Sequence, residues 1–146
     1  MTADTLFSIC GDLVLPGWLL LIFAPRWQWT QRVINSCIIP LMLAVVYLFI
    51  IVTHFGKSGG GFGSLAQVAQ LFSDPYNLLA GWIHYLAFDL FIGGWETRDS
   101  HRHGIHHLLV VPCLILTFLL GPIGLLLYFI LRWTLKRKFF VEERDA

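Results

Sequence analysis

Between Gly81 and Gly104 the chain reads GWIHYLAFDLFIGGWETRDSHRHG, an apolar run that carries His84, Asp89 and Glu96 before it enters a dense polar knot. An ionisable side chain in hydrocarbon is costly, so these three are read first as functional candidates. On a helix Trp82, Tyr85, Asp89 and Glu96 fall at steps of three, four and seven and share one stripe. His84 precedes Asp89 by five positions, about 140° around a helix, so their joint use needs a cavity that wraps the helix or a partner from another one. Such groups donate and accept protons, and burial makes them usable acids and bases for a hydrophobic molecule entering from the lipid. Trp82, Tyr85 and Trp95 are the candidate walls of that site. There is no GxSxG and no cysteine in the cluster, so a nucleophilic mechanism finds no support.

The polar knot follows: Glu96, Arg98, Asp99, His101, Arg102, His103, His106 and His107. If the helical pitch continues, His103 and His107 are spaced i, i+4 with Asp99 one turn earlier, a set that could hold a divalent metal alongside His106. No HExxH is present and Gly104 is a helix breaker, so the competing reading is a solvated, charge-rich interhelical loop that serves as an interfacial gate or anchor. Gly93 and Gly94, just before the knot, either admit a neighbouring helix or ligand or let the helix end.

The elements that must position these groups are apolar. The 146 residues are 57% hydrophobic and 13% charged, and the mean hydropathy is +0.72. A soluble domain of this size could not cover so much apolar surface, which points to an integral membrane protein of one domain, residues 1–146. A net charge of +1 gives no sign of nucleic-acid binding. Cys10, Cys37 and Cys113 lie in apolar segments without CxxC spacing and read as packing residues.

Hydropathy predicts an all-α, four-helix bundle with spans over roughly 6–24, 33–55, 76–95 and 105–133. The first lacks a basic leader and is read as retained. It contains Pro16, where a kink is expected, and Asp12, which is read either as a surface residue or as a carboxylate facing the bundle centre. A turn, Pro25 to Arg32, mixes Trp27 and Trp29 with arginines as interfacial anchors, and His54 is placed at the interface. The stretch GKSGGGFGS, with five glycines in nine residues, predicts a flexible link. After it Leu65, Val68, Ala69 and Phe72 at helical spacing predict a short interfacial amphipathic helix. Ser73 is the expected N-cap of the third span, and the fourth is expected to kink at Pro112 and at Gly121-Pro122. Four antiparallel spans put both termini on one face with Lys57, Lys136, Arg137 and Lys138, against Arg26, Arg32, Arg98 and Arg102 on the other. That is a tie, tipped toward termini inside if Arg98 and Arg102 serve the site.

The residues WIHYLAFDLFIGGWETRDS, followed by PCLILTFLLGPIGLLLYF and preceded by LFSDP, make the chain similar over essentially its whole length to the abscisic-acid-deficient-four-like family. Trp82, His84, Asp89, Leu90, Phe91, Asp99, Pro122 and Gly124 match the plant form, whose members are associated with neoxanthin synthesis from violaxanthin. The histidines from His101 to His107 and the twin glycines fit the bacterial branch better. The resemblance implies an isomerisation of a carotenoid or related isoprenoid lipid: an epoxide opens while a proton leaves the polyene, with no redox cofactor. It implies His84 as acid or base, Asp89 as its counterpart or orienting group, and Glu96 and Asp99 as further catalytic candidates. Arg98 or Arg102 would anchor a polar end group, and Trp82, Tyr85, Trp95 and Asp12 complete the substrate-binding set.

The first reading is therefore a small intramembrane isomerase, multi-pass in a bacterial inner membrane, with no cofactor, no nucleic-acid partner, and membrane lipids and a hydrophobic small molecule as partners. The second is a non-enzymatic module that binds lipid, pigment or metal and assists another carotenoid-modifying enzyme. An ion pathway would need this short bundle to act as a homo-oligomer.

Overall fold

The computed structural model describes residues 2–34, 37–57 and 59–137. Ser58 of the glycine-rich link and Lys138 of the basic run lie outside the described residues. Among the described residues there is no strand, and seven helices follow in order: α1 Ala3–Phe23, α2 Gln28–Val33, α3 Ile38–His54, α4 Leu65–Leu71, α5 Pro75–Arg102, α6 His107–Leu120 and α7 Pro122–Lys136. Two of them, α1 and α5, are long and apolar enough to cross a membrane, while α3 and α6 are apolar but shorter.

Helix α5 is the hub. Asp74, one residue after the expected cap, accepts from the amides of Tyr76 and Asn77 at 3.0 Å, and Pro75 occupies the first turn where its missing N–H costs nothing. The helix does not stop at Trp95 as hydropathy predicted. It runs through Gly93 and Gly94 to Arg102, about 42 Å at 1.5 Å per residue, and ends where Gly104 takes φ +58. Thr97, Asp99 and Ser100 are consequently buried helix residues rather than a solvated loop.

Helix α1 runs parallel to α5: Phe7 meets Trp82 with ring centroids 5.5 Å apart, and Trp18 lies across Gly93, where a Cβ would stand 2.7 Å from the indole. Gly93 therefore admits a neighbouring helix and does not end its own. Helix α1 is continuous through Pro16. Helix α3 is antiparallel to α5, with His54 stacked on Tyr76 at 4.0 Å and Tyr47 6.0 Å from His84. It starts at Ile38 instead of Val33, after Cys37 in the left-handed region at φ 60, and the expected turn before it contains the separate helix α2. Helix α4 forms as expected, capped reciprocally: the Ser64 hydroxyl accepts from the Gln67 amide at 3.2 Å, and Gln67 Oε1 accepts from the Gly63 amide at 3.1 Å.

The expected fourth span differs most. Residues 105–133 do not form one kinked rod. Helix α6 continues through Pro112 to Leu120, and the chain then reverses at Gly121, φ 46 and ψ −97, before Pro122 opens α7. Both outer ends of this hairpin lie at the C-terminal end of α5: the His107 imidazole bonds the Ile22 carbonyl at 2.9 Å, and Lys136 Nζ approaches Gly104. Its tip lies at Asp89, midway along α5. The two helices pack tightly because Gly124 presses on the Thr117 backbone, and a Cβ there would collide with it. Two breakers of similar appearance thus act differently. Pro112 removes one amide and crowds one carbonyl within a helix that continues, whereas glycine at 121 adopts a backbone conformation strained for any other residue.

Apolar side chains cover the outside as well as the core, and a few polar groups are buried within it. Glu96, Thr117 and Arg132 are fully buried, whereas Val45, Val52, Leu108 and Leu126 are more than half exposed.

Candidate functional site

The stripe read from the sequence is the face of α5 that receives the α6–α7 hairpin. It holds three carboxylates in three different settings. Nearest the C-terminal end, Asp99 Oδ2 accepts from the Tyr128 hydroxyl at 2.6 Å and pairs with Arg132 Nε at 3.3 Å. His103 completes the group: its Nδ1 meets the Asp99 carbonyl at 2.9 Å and its Nε2 meets Arg132 Nη2 at 3.3 Å. A carbonyl only accepts and a guanidinium only donates, so the proton of His103 sits on Nδ1. One turn along, Glu96 is fully buried and takes the Thr117 hydroxyl at 3.0 Å and 3.2 Å on its two oxygens.

Asp89 is different. Its Oδ2 is buried without a hydrogen-bond partner. The carboxylate lies against Gly121, where a Cβ would be 3.0 Å from Oδ1, and so beside the first residues of α7. A helix N-terminus carries unpaired amides and the positive end of the dipole, which suits a carboxylate there. The Tyr85 hydroxyl interacts with Asp89 and donates to the Phe118 carbonyl at 2.9 Å, satisfying an acceptor in the last turn of α6. The two half-helices of the hairpin therefore meet at one carboxylate and one phenol.

Tyr85 also faces outward. With Trp82, Asp12, Phe7 and Phe118 it lines a cleft of about 540 Å³ between α1, α5 and α6. Three residues expected to bind substrate, Trp82, Tyr85 and Asp12, are thus brought together, with Asp89 one turn behind Tyr85. Asp12 is exposed on α1, along the cleft and not at the bundle centre.

The remaining candidates are not gathered there. His84 lies on the other side of α5, stacked on Phe88 at 4.5 Å, in a separate cleft of about 560 Å³ with Tyr47, Phe55, Phe62 and Phe72. One cavity does not wrap α5 to join His84 with Asp89. Trp95 is not a wall; it packs edge-on to Tyr128 and stacks on Phe129, both at 5.5 Å. Arg98 lies against Gly94 beside Ile34 and Arg102 is exposed. Each is about 20 Å or more along α5 from Tyr85, too far to anchor a group held at the cleft. The histidine set is dispersed as well. The end of α5 at Gly104 turns His103 toward Asp99, sends His107 to the Ile22 carbonyl of α1 and leaves His106 exposed. No group of three potential metal ligands converges among the described residues.

Sequence reasoning missed Thr117, Gly121, Tyr128 and Arg132. A signal was present: Gly124, Tyr128 and Arg132 recur every fourth position on one stripe of an apolar segment, and all three are buried. Arg132 drew no reading of its own within the expected fourth span, yet it is fully buried.

The chain matches the family described as ABA DEFICIENT 4-like over residues 5–128. It is 25% identical over 142 residues to the Arabidopsis thaliana protein ABA DEFICIENT 4, chloroplastic, a match covering 88% of this chain and 60% of that protein. The chain therefore spans about 60% of the length of the curated relative it matches. No solved structure matches significantly.

Proposed function

The chain belongs to the ABA DEFICIENT 4-like family, and from that premise we propose that it is a multi-pass membrane isomerase acting on a carotenoid or related isoprenoid lipid at the Tyr85 cleft, with Asp89 behind the phenol. Helices α1, α3 and α5 cross the bilayer, and the α6–α7 hairpin enters from one side and returns to it. What supports this arrangement is the apolar exterior together with the charge balance. Arg26, Arg32, Arg98, Arg102, Lys136 and Arg137 gather at the end where α1 and α5 finish, and Lys57 stands at the other. The positive-inside rule then places the arginine-rich end in the cytoplasm, and the expected tie disappears.

One observation carries the catalytic reading. Glu96 and Asp99 are engaged by neighbouring side chains, whereas Asp89 keeps a buried oxygen without a partner, next to a phenol that opens onto an apolar cleft. In the reaction Tyr85 delivers its proton to an epoxide oxygen as the carbon–oxygen bond breaks. Asp89 takes a carbon-bound proton from the adjoining polyene and returns it to Tyr85. No atom is gained or lost, and no oxidant or reductant enters. Burial in the hairpin keeps water from competing for the carbocation-like centre.

The separation of His84 from Asp89 favours a second reading, a pigment-binding module that assists another carotenoid-modifying enzyme. Expression in a carotenoid-producing host, followed by pigment extraction, distinguishes the two. The isomerase reading expects a new product that Asp89→Asn abolishes, Tyr85→Phe lowers by about 100-fold or more, and His84→Gln spares. Pigment that co-purifies unchanged supports the binder, and an unaltered pigment profile with every variant refutes the isomerase.

A further inference from the structure

Some distance from the Tyr85 cleft, where α5 gives way to α6, lies an open polar pocket of about 400 Å³ lined by Arg26, His101, Gly104, Ile105 and His106. None of the five is acidic. The Asp99 carboxylate nearby is committed to Tyr128 and Arg132. His101 Nε2 is buried and has no hydrogen-bond partner, and the His106 imidazole shares the lining with it. Two imidazoles and a guanidinium thus crowd together without a counter-charge from the lining.

Three further features point the same way. Helix α6 begins at this space, with His106 as its N-cap, no side-chain cap and no acidic residue in its first turn. Its first amides and positive dipole end therefore face a space whose lining has no acidic side chain. Gly104, at φ +58, has no side chain to close the space, and Lys136 Nζ would lie 3.9 Å from a Cβ there, which adds a cationic group at the rim. The exposed Trp27 and Trp29 follow Arg26 in sequence, the aromatic and cationic mixture that settles at lipid headgroups. A metal ion would meet the Arg26 guanidinium, whereas an anion would be met by arginine, imidazole and amide donors together.

We propose that this cavity binds a phosphate group, supplied by the headgroup of an anionic phospholipid or by a free phosphate or diphosphate. The full chain is reconstituted in phosphatidylcholine nanodiscs, with and without phosphatidylglycerol, and lipid retention is followed by native mass spectrometry. In a second arm, inorganic phosphate and pyrophosphate are titrated into the phosphatidylcholine nanodiscs. Arg26 and His106 are exposed, so R26Q/H106N tests the site with little risk to folding, and H101Q tests the buried donor. Arg32→Gln, which removes a charge from the same face outside the cavity, is the control. Monodisperse elution and an unchanged melting midpoint establish that each variant is folded.

Binding should weaken about tenfold or more in R26Q/H106N and in H101Q, and stay within about twofold of wild type in R32Q. Retention of phosphatidylglycerol alone identifies a headgroup, and saturation by phosphate or pyrophosphate identifies a free anion; both uphold the site. Equal loss in R32Q, or no phosphate preference in either arm, overturns it. So does zinc binding that depends on His101 and His106 while phosphate binding does not.

Discussion

Replacing Asp99 by asparagine removes the counter-charge of Arg132 and leaves the shape of the side chain nearly unchanged. Asp99 is 4% exposed and Arg132 and Tyr128 are 0% exposed, so water cannot make good the loss. Breaking a buried pair from one side leaves an uncompensated charge and costs about 3–5 kcal/mol. Tyr128→Phe should cost less, about 1.5–3 kcal/mol, because it deletes one short hydrogen bond to a charged oxygen and leaves the ion pair. The double variant D99N/R132M removes both charges while the introduced amide oxygen still accepts from Tyr128, so it should lie within about 2 kcal/mol of wild type. Arg132→Met alone strands the Asp99 carboxylate and should also cost about 3–5 kcal/mol, so the cycle gives a coupling of about 4 kcal/mol or more. Unfolding by sodium dodecyl sulfate in mixed micelles, followed by tryptophan fluorescence, measures all four species. A coupling below about 0.5 kcal/mol would refute the reasoning, because it would mean that Arg132 is solvated independently of Asp99. The stakes extend beyond stability: this network fastens α7 to α5 and so holds Gly121 against Asp89.

Three other outcomes follow from the hairpin. Gly121→Ala should destabilise by about 1–3 kcal/mol in the same titration, from its backbone conformation and from the contact with Asp89; Gly11→Ala, which meets nothing within 4 Å in the middle of α1, should be neutral or stabilising by up to about 1 kcal/mol. Equal effects at both positions would count against the tip geometry. Gly124→Ala should cost about 1–3 kcal/mol by forcing α7 off the Thr117 backbone. With Cys37 replaced by serine, Lys57→Cys and Lys136→Cys should react with an impermeant maleimide from opposite sides of the membrane, whereas four full spans would put them on the same side.

Much of the site's framework was legible in the sequence because it is local. The run from Trp82 to Glu96 has one periodicity, and a helix must carry Tyr85, Asp89 and Glu96 on one face whatever packs there. The 140° between His84 and Asp89 was likewise a property of the helix: His84 opens onto one cleft, while Asp89 is covered by the hairpin behind Tyr85, which lines the other. The cap at Asp74 differed from the expected Ser73 by one residue, because the Asp74 side chain reaches two amides. The charged residues after Trp95 misled because a helix end and a helix with a buried polar face have the same composition. Asp99 and Ser100 remain helical because α6 and α7 cover them.

The sequence alone determined that the chain is helical, that its surface is apolar, and that one stripe of α5 is acidic. These follow from hydropathy and from a repeat of 3.6 residues, which each segment carries by itself. Tertiary structure decided that 105–133 folds back on itself, that Asp99 is taken by Arg132, and that Asp89 keeps an oxygen free beside Tyr85. Pro112 and Gly121-Pro122 both read as breakers in one apolar run. The choice between a kink and a reversal was settled by the close approach of Gly124 to Thr117 and by an acidic stripe that needed Thr117, Tyr128 and Arg132 as partners. Pairings across more than twenty residues leave no periodic trace in either partner, so a buried arginine and a membrane anchor look alike until the helices are packed.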